Sequence, residues 1–526
     1  MVDLRKAKTV FIGVLVFVAI TTANGAKFLR ETDDDDTPSA AAPLGQKITE
    51  KVKETGAKVK ETAAPIGAKV KETAAPIGAE VKETAAPIGA KVKETAAPIG
   101  AKVAAGFKGM TGSNGPAAAP LGARIAEGFK GSIAPIGAKL GFKGSGASID
   151  VKASGAKADG KTDDSGAFAA AWKEACASAS PSTILVPKGE YLVNNIEFKG
   201  PCKGPITFEV NGNLKAPPNW LGGGKPHCGW LEFEKLTDFT INGNGAIFDG
   251  QGAIAWKVND CAKTGKCNTL PINIRFTGLT NSKIIGITST NSKLFHMNII
   301  DCKNVTFQNI GIDAPPESLN TDGIHIGRSN GVILRESKIR TGDDCISIGD
   351  GTENLLVENV ECGPGHGIAI GSLGKYPNEQ PVRGVTIRKT LIKNTDNGVR
   401  IKTWPGSPPG IASNILFDDI TMDNVSTPIL VDQVYCPHGT CKSQAPSKVK
   451  LSDVSFKNIR GTSASKVAVK LLCSPGVPCT NFAFADINLV HNGKEGPAVS
   501  ACSNVKPVVS GKMVPPACTE VAKPGP

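Results

Sequence analysis

From Ser148 onward, short runs of aliphatic and β-branched residues recur at intervals of about 22 to 30 residues, with asparagine and glycine between them. The runs are Phe239-Thr-Ile241, Ile284-Ile-Gly-Ile287, Val305-Thr-Phe307, Val332-Ile-Leu334, Leu355-Leu-Val357, Val385-Thr-Ile387, Ile415-Leu-Phe417 and Val454-Ser-Phe456. No helical period intervenes, so the pattern predicts an all-β solenoid of stacked coils rather than alternating strands and helices. Ahead of it, residues 165–176 read as an amphipathic helix with Asp164 near its N-cap, a plug over one end of the coil. A short strand and turn are expected over residues 183–191.

A second set of strands runs in phase with the first. Ile324-His-Ile326, Ile346-Ser-Ile348 and Ile368-Ala-Ile370 repeat every 22 residues, and Val399-Arg-Ile401 repeats them after a longer coil. Period-2 alternation puts the aliphatic residues inside and His325, Ser347, Ala369 and Arg400 outside. If one coil is one repeat, equivalent residues stack in columns about 4.8 Å apart. Two positions before each leading aliphatic, the column reads Asp322, Asp344, His366 and Asn397, with Asp343 one residue earlier on its coil. Gly342, Gly365 and Gly367 permit tight turns and close approach of a ligand. Arg400 and Lys402, two apart, face the same way, so three carboxylates, one histidine and two cations gather on one outer face. His325 on that face suits either a cleft or a packing role.

The first third differs in kind. An 11-residue unit, Lys58-Val-Lys-Glu-Thr-Ala-Ala-Pro-Ile-Gly-Ala68, recurs from Lys69, Glu80 and Lys91. Proline followed by glycine breaks a helix once per unit, and one or two aliphatics per unit give too little apolar surface to offset ordering. Residues 26–147 are therefore expected to form a disordered, basic, low-complexity arm, clearest over 58–103, ahead of a catalytic domain over 148–526. Residues 1–25 read as a secretory signal: Arg5, Lys6 and Lys8, an apolar run from Val10 to Ile20, then small residues near Ala23 and Gly25. The run is too short to span a bilayer, which predicts a secreted protein with no membrane anchor once the signal is removed.

Charge and cysteine usage narrow the partners. A formal net charge of +12 suits a polyanion, and export favours an acidic polysaccharide over nucleic acid. The 14 cysteines, all at or after Cys176, suit disulfides in an oxidising compartment. Close pairs Cys261 and Cys267, Cys436 and Cys441, and Cys473 and Cys479 suggest local staples. No CxxC or matched histidine spacing supports zinc, so no metal or other cofactor is expected. Asn304-Val-Thr306 and Asn424-Val-Ser426 are candidate glycan acceptors, Asn304 and Asn424. A monomer is expected.

The acidic patch matches the demands of glycoside cleavage, which needs one carboxylic acid to protonate the leaving oxygen and one carboxylate to activate water or attack. Crowding raises the proton affinity of at least one carboxylate, which then serves as the acid. A neutral glycan would gain nothing from Arg400 and Lys402, whereas a polyuronide would.

Asn320-Thr-Asp-Gly323, Gly342-Asp-Asp-Cys345, Gly365-His-Gly367 and Arg400-Ile-Lys402 resemble, in order and spacing, the glycoside hydrolase family of plant, fungal and bacterial polygalacturonases. The likeness covers residues 149–519, and Gly371-Ser-Leu-Gly-Lys-Tyr-Pro-Asn-Glu379 with Asn397-Gly-Val-Arg-Ile-Lys-Thr-Trp404 is similar to the pollen-type plant exopolygalacturonases. The resemblance implies a right-handed parallel β-helix and metal-free, inverting hydrolysis of α-1,4 bonds in homogalacturonan pectin at the cell wall, exo action favoured over endo. It implies Asp343 as general acid, Asp322 and Asp344 as the pair that holds and deprotonates water, and His366 as the support of the acid. Arg400 and Lys402, with Asn320 and Tyr435 beside them, would bind substrate, although on spacing alone Tyr435 equally suits a packing role. The rival readings are a calcium-dependent pectate lyase and a non-catalytic wall-binding protein.

Overall fold

The computed structural model of the protein describes residues 147–224, 228–259, 270–437, 439, 441, 445–518 and 520–522. The signal over 1–25, the arm over 26–147 apart from Ala147, and the pair Cys261 and Cys267 lie outside the described residues.

Two local rules, repeated, build the domain. Each short strand buries alternate side chains, and each corner needs a backbone most residues avoid. Asparagine tolerates that left-handed conformation, and Asn304, Asn354, Asn394 and Asn424 adopt it with φ of 53, 52, 51 and 55°. Their amides also link coil to coil: Asn304 Nδ2 donates to Asn281 Oδ1 at 3.3 Å, Asn354 to Asn330 at 3.2 Å and Asn424 to Asn394 at 2.9 Å.

The strands stack as a right-handed parallel β-helix, every pairing among the described residues being parallel, each strand bonded to its equivalent one coil later. One sheet holds nineteen strands, including all eight runs first recognised by their spacing; the other holds twelve, from Ile196–Lys199 to Glu520–Val521. In the second sheet Ile324 pairs with Ile346, Ile346 with Ile368, Ile368 with Val399 and Val399 with Ile429. All five are buried. Phenylalanines form a parallel stack inside, with Phe198–Phe233 centroids at 4.8 Å and Phe233–Phe276 at 5.5 Å.

The expected helix spans Ser165–Ala177 and closes the first coil with Phe168 and Trp172, whose rings meet Tyr191 and Phe198 at 5.5 and 5.1 Å. The disulfide Cys176–Cys202 ties down its end. Asp164 occupies the N-cap position, yet its carboxylate turns back to accept the N–H groups of Lys157 and Ala158. The neighbouring Asp163 takes the Ser165 N–H instead, at 3.0 Å. The strands are also interrupted by a short helix, Ala253–Val258, contrary to the helix-free reading; it hangs on a hydrogen bond from the Trp256 indole to the Ser292 carbonyl at 2.9 Å.

Disulfides Cys436–Cys441 and Cys473–Cys479 form as their spacing suggests, joined by Cys345–Cys362 and Cys502–Cys518. The sequon residues Asn304 and Asn424 are exposed.

Candidate active site

The middle of the twelve-stranded sheet carries the polar column. Strands Ile324–Gly327, Ile346–Ile348, Ile368–Leu373 and Asn397–Thr403 lie in register, so His325, Ser347, Ala369 and Arg400 form one outward row. These residues do face away from the core, but Ser347 and Ala369 are buried, at 3 % and 0 % exposure. They are small, and the long side chains of later coils lie over them. A Cβ at Gly349 would stand 3.2 Å from the His325 ring, so this floor has no room for bulk.

That floor lets Arg400 and Lys402 reach back across two rungs to Asp344. Arg400 Nη2 donates to Asp344 Oδ1 at 2.9 Å and Lys402 Nζ to Oδ2 at 2.7 Å. Asp344 and Lys402 are buried, at 1 % and 6 % exposure, so each charge is compensated rather than hydrated. Arg400 Nε is buried without a hydrogen-bond partner.

Asp343 has a different environment. Its Oδ1 accepts from the Asp344 N–H at 2.8 Å and pairs with His366 Nδ1 at 2.9 Å, while Asn320 Nδ2 reaches Oδ2 at 3.4 Å. Burial works against ionisation of Asp343, but the His366 hydrogen bond and positive charge outweigh it and hold the carboxyl below its ordinary range. The same hydrogen bond, opposed by burial, raises His366. Asp396 stands on the other side, its Oδ2 3.5 Å from His366 Nε2, so the imidazole is bracketed by two carboxylates.

Asp322 is buried, and that burial, reinforced by the charges of Asp343 and Asp344, pushes its proton affinity well above that of an ordinary carboxyl. Lys402 and a hydrogen bond from Ser347 oppose the shift. Behind this group, the buried hydroxyls of Ser318, Thr321 and Thr341 bond to one another at 2.8 Å, and Thr341 Oγ1 also donates to the Thr321 carbonyl. They fix the backbone that aims Asp322 and Asp343.

Tyr435 joins the site with Arg400 and Lys402 at 5.8 and 5.2 Å from its ring centroid, so its ring serves the cations. His325 is part of the floor and half-buried, its Nδ1 2.9 Å from Ser347 Oγ and its ring 5.4 Å from Phe295; desolvation brings its pKa down to about 4. The structure brings Asp322, Asp343, Asp344, His366, Arg400 and Lys402 of the column together, with Asn320 and Tyr435, named through the resemblance, beside them. Sequence reasoning missed Asp396, Ser347 and the Ser318–Thr321–Thr341 hydroxyls; the phase of Ser347 within its strand was the one available signal, read there as exposure.

One donor atom each from Asp343, Asp344 and His366 lies within 4.8 Å of the others. Both Asp344 oxygens are already held by cations, so a divalent ion would meet two positive charges at contact distance.

Three carboxylates in three environments, one with its proton affinity raised by burial, one hydrogen-bonded to imidazole and one ion-paired, suit a glycosidase-type acid–base centre on the outside of a β-helix. The pattern of Glycosyl hydrolases family 28 matches residues 176–517, and the chain belongs to that family and is a glycoside hydrolase. An exopolygalacturonase of Arabidopsis thaliana is 77 % identical over 381 residues, 72 % of this chain and 85 % of that relative. An exopolygalacturonase of Oenothera organensis is 53 % identical over 360 residues, 68 % of this chain and 98 % of the relative. The crystal structure of endo-xylogalacturonan hydrolase from Aspergillus tubingensis superposes with a TM-score of 0.61 at 22 % identity, over 72 % of this chain and 100 % of the other, a likeness of fold.

Proposed function

We propose that the protein is a secreted, exo-acting polygalacturonase that hydrolyses α-1,4 bonds between galacturonate units of homogalacturonan with inversion. The observation that carries this reading is the buried Asp344 held by Arg400 and Lys402 beside the hydrogen-bonded Asp343–His366 pair. Asp343 is the general acid. Proton affinity is raised at both Asp322 and His366, and His366 Nδ1, 2.9 Å from Asp343 Oδ1, supplies the proton that Asp343 passes to the leaving oxygen. Asp344, ion-paired with Arg400 and Lys402, and Asp322 in its ionised form orient the attacking water and take the proton it gives up. Arg400, Lys402, Tyr435 and Asn320 bind the uronate: a substrate carboxylate finds the far side of the two cations beside Tyr435.

Exo action is supported by the exopolygalacturonases at 77 and 53 % identity. Export and action at the cell wall rest on the apolar leader and the basic arm; among the described residues no helix is long and apolar enough to cross a membrane. The two exposed sequons are sites for glycans in that compartment.

The purified protein on polygalacturonate should release monomer with new reducing ends, in the presence of chelator and without ultraviolet-absorbing unsaturated products. Unsaturated, chelator-sensitive products would make it a lyase, and a ladder of oligomers an endo enzyme. Asp343→Asn should lower kcat by about 10³-fold, with KM changed less than about threefold. An unchanged kcat would remove the acid role.

A further inference from the structure

Lys375 lies outside the acid–base centre, on the loop following the strand Ile368–Leu373. It is exposed, and no carboxylate pairs with it among the described residues. Its ammonium rests instead on two rings, 5.4 Å from the Tyr376 centroid and 5.5 Å from that of Trp404. The one acid on the loop, Glu379, is committed elsewhere: its oxygens accept the N–H groups of Gly374, Lys375 and Tyr376 at 2.6, 2.9 and 2.9 Å. The loop backbone is therefore fixed while the tip of Lys375 stays available.

The rings form a wall leading from the catalytic cations. Tyr435, which carries Arg400 and Lys402, meets Trp404 edge-on at 5.6 Å, and Trp404 carries Lys375. Tyr376 ends the wall with 61 % of its surface exposed, one of few large hydrophobic side chains so open. Trp404 Nε1 is buried without a hydrogen-bond partner. An exposed cation–π contact is worth only about 0.5–1 kcal/mol, whereas ammonium and carboxylate make a charge-assisted hydrogen bond. A carboxylate arriving at this wall would draw the ammonium off the Trp404 ring and uncover that ring for the apolar face of a sugar.

We propose that Lys375, Tyr376 and Trp404 form a further hexuronate subsite, in which Lys375 pairs with the carboxylate of the sugar beyond the one at Arg400 and Lys402, outside the pair that flanks the cleaved bond. The proposal rests on the polygalacturonase reading and deepens it: a polyuronide carries one carboxylate per sugar, so a chain seated at the catalytic cations brings another past Trp404.

The test compares Lys375→Met, which keeps the apolar stem, and Lys375→Arg, which keeps the charge, on digalacturonate and on longer oligogalacturonates and polygalacturonate. The Met variant should raise KM for the longer substrates about tenfold, with kcat within about twofold. Its loss on digalacturonate should stay below about twofold, and the Arg variant should recover most of the KM. Unchanged KM on every length, an equal loss on digalacturonate, or a failure of arginine to restore binding would overturn the subsite. Wild-type turnover of polygalacturonate, measured first, checks the activity reading separately, so a silent Lys375→Met in an active enzyme counts against the subsite alone. Should the Met variant unfold, Tyr376→Ala, an exposed position, must give the same length-dependent KM rise.

Discussion

Replacing Lys402 with methionine removes one of two positive charges from a carboxylate with almost no contact with water. Lys402 Nζ is 2.7 Å from Asp344 Oδ2, and Asp344 is 1 % exposed. At that distance the gross attraction is about 6 kcal/mol with an effective dielectric near 20. Relief of lysine desolvation returns part of this, and breaking a buried pair from one side typically costs about 3–5 kcal/mol. Arg400 still holds the other oxygen at 2.9 Å, which places the expected loss at the low end, about 3 kcal/mol. The pH dependence has a defined sign. Asp322 has a raised folded-state pKa, and Lys402 is one of the groups restraining it. A carboxyl raised on folding costs stability as pH rises through its unfolded value, and losing Lys402 enlarges that cost. The penalty should therefore be greater at pH 7 than at pH 4, close to the unfolded-state value of a carboxyl, where the cost of ionising Asp322 has barely set in. Denaturant unfolding of wild type and Lys402→Met at both values measures it. The double variant Lys402→Met with Asp344→Asn should be no worse than the sum of the singles, because the orphaned carboxylate is gone. A difference below about 1 kcal/mol at pH 7, or equal penalties at the two pH values, would refute the buried-pair reasoning.

Two further outcomes follow from the bracketed imidazole and from the crowded backbone beside it. His366 is raised by its partner, so its support of Asp343 is complete below an ordinary histidine pKa and fades as pH climbs through the raised value; Asp396→Asn should move the alkaline limb of the kcat profile to lower pH by under about one unit and leave the acid limb in place. Gly367 has φ of +84°, and a Cβ there would run into the carbonyl oxygens of Asn397 and Gly398; Gly367→Ala should cost about 3 kcal/mol or more in thermal unfolding and depress kcat together with it.

The strand columns were legible in the sequence because a period of 22 residues and a two-residue alternation together fix both register and face: Asp322, Asp344, His366 and Asn397 follow from counting. What lay along the column was legible; what reached across it was not. Lys402 meets Asp344 over a separation of 58 residues across a floor of small residues, Ser347 and Ala369. Alternation says which way Ser347 points and nothing of what covers it, so an outward position became a buried one. Asp396 escaped notice because it sits on a corner, out of phase with the strand pattern, and acts only through the far nitrogen of His366. Asp164 misled for a related reason: its place in the chain fits a cap, but nearer backbone donors at Lys157 and Ala158 claimed it.

The groups proposed to react lie at the fifth to the eighth strands of a sheet of twelve, leaving four on either flank. In a linear array each layer leans only on the next, so disorder invades from the termini and advances layer by layer. An unzipping that begins at Val521 must strip four layers before it disturbs Arg400, and one beginning under the N-terminal helix must strip as many before it reaches Asp322. The proposed catalytic groups thus sit midway between the two melting fronts of the twelve-stranded sheet.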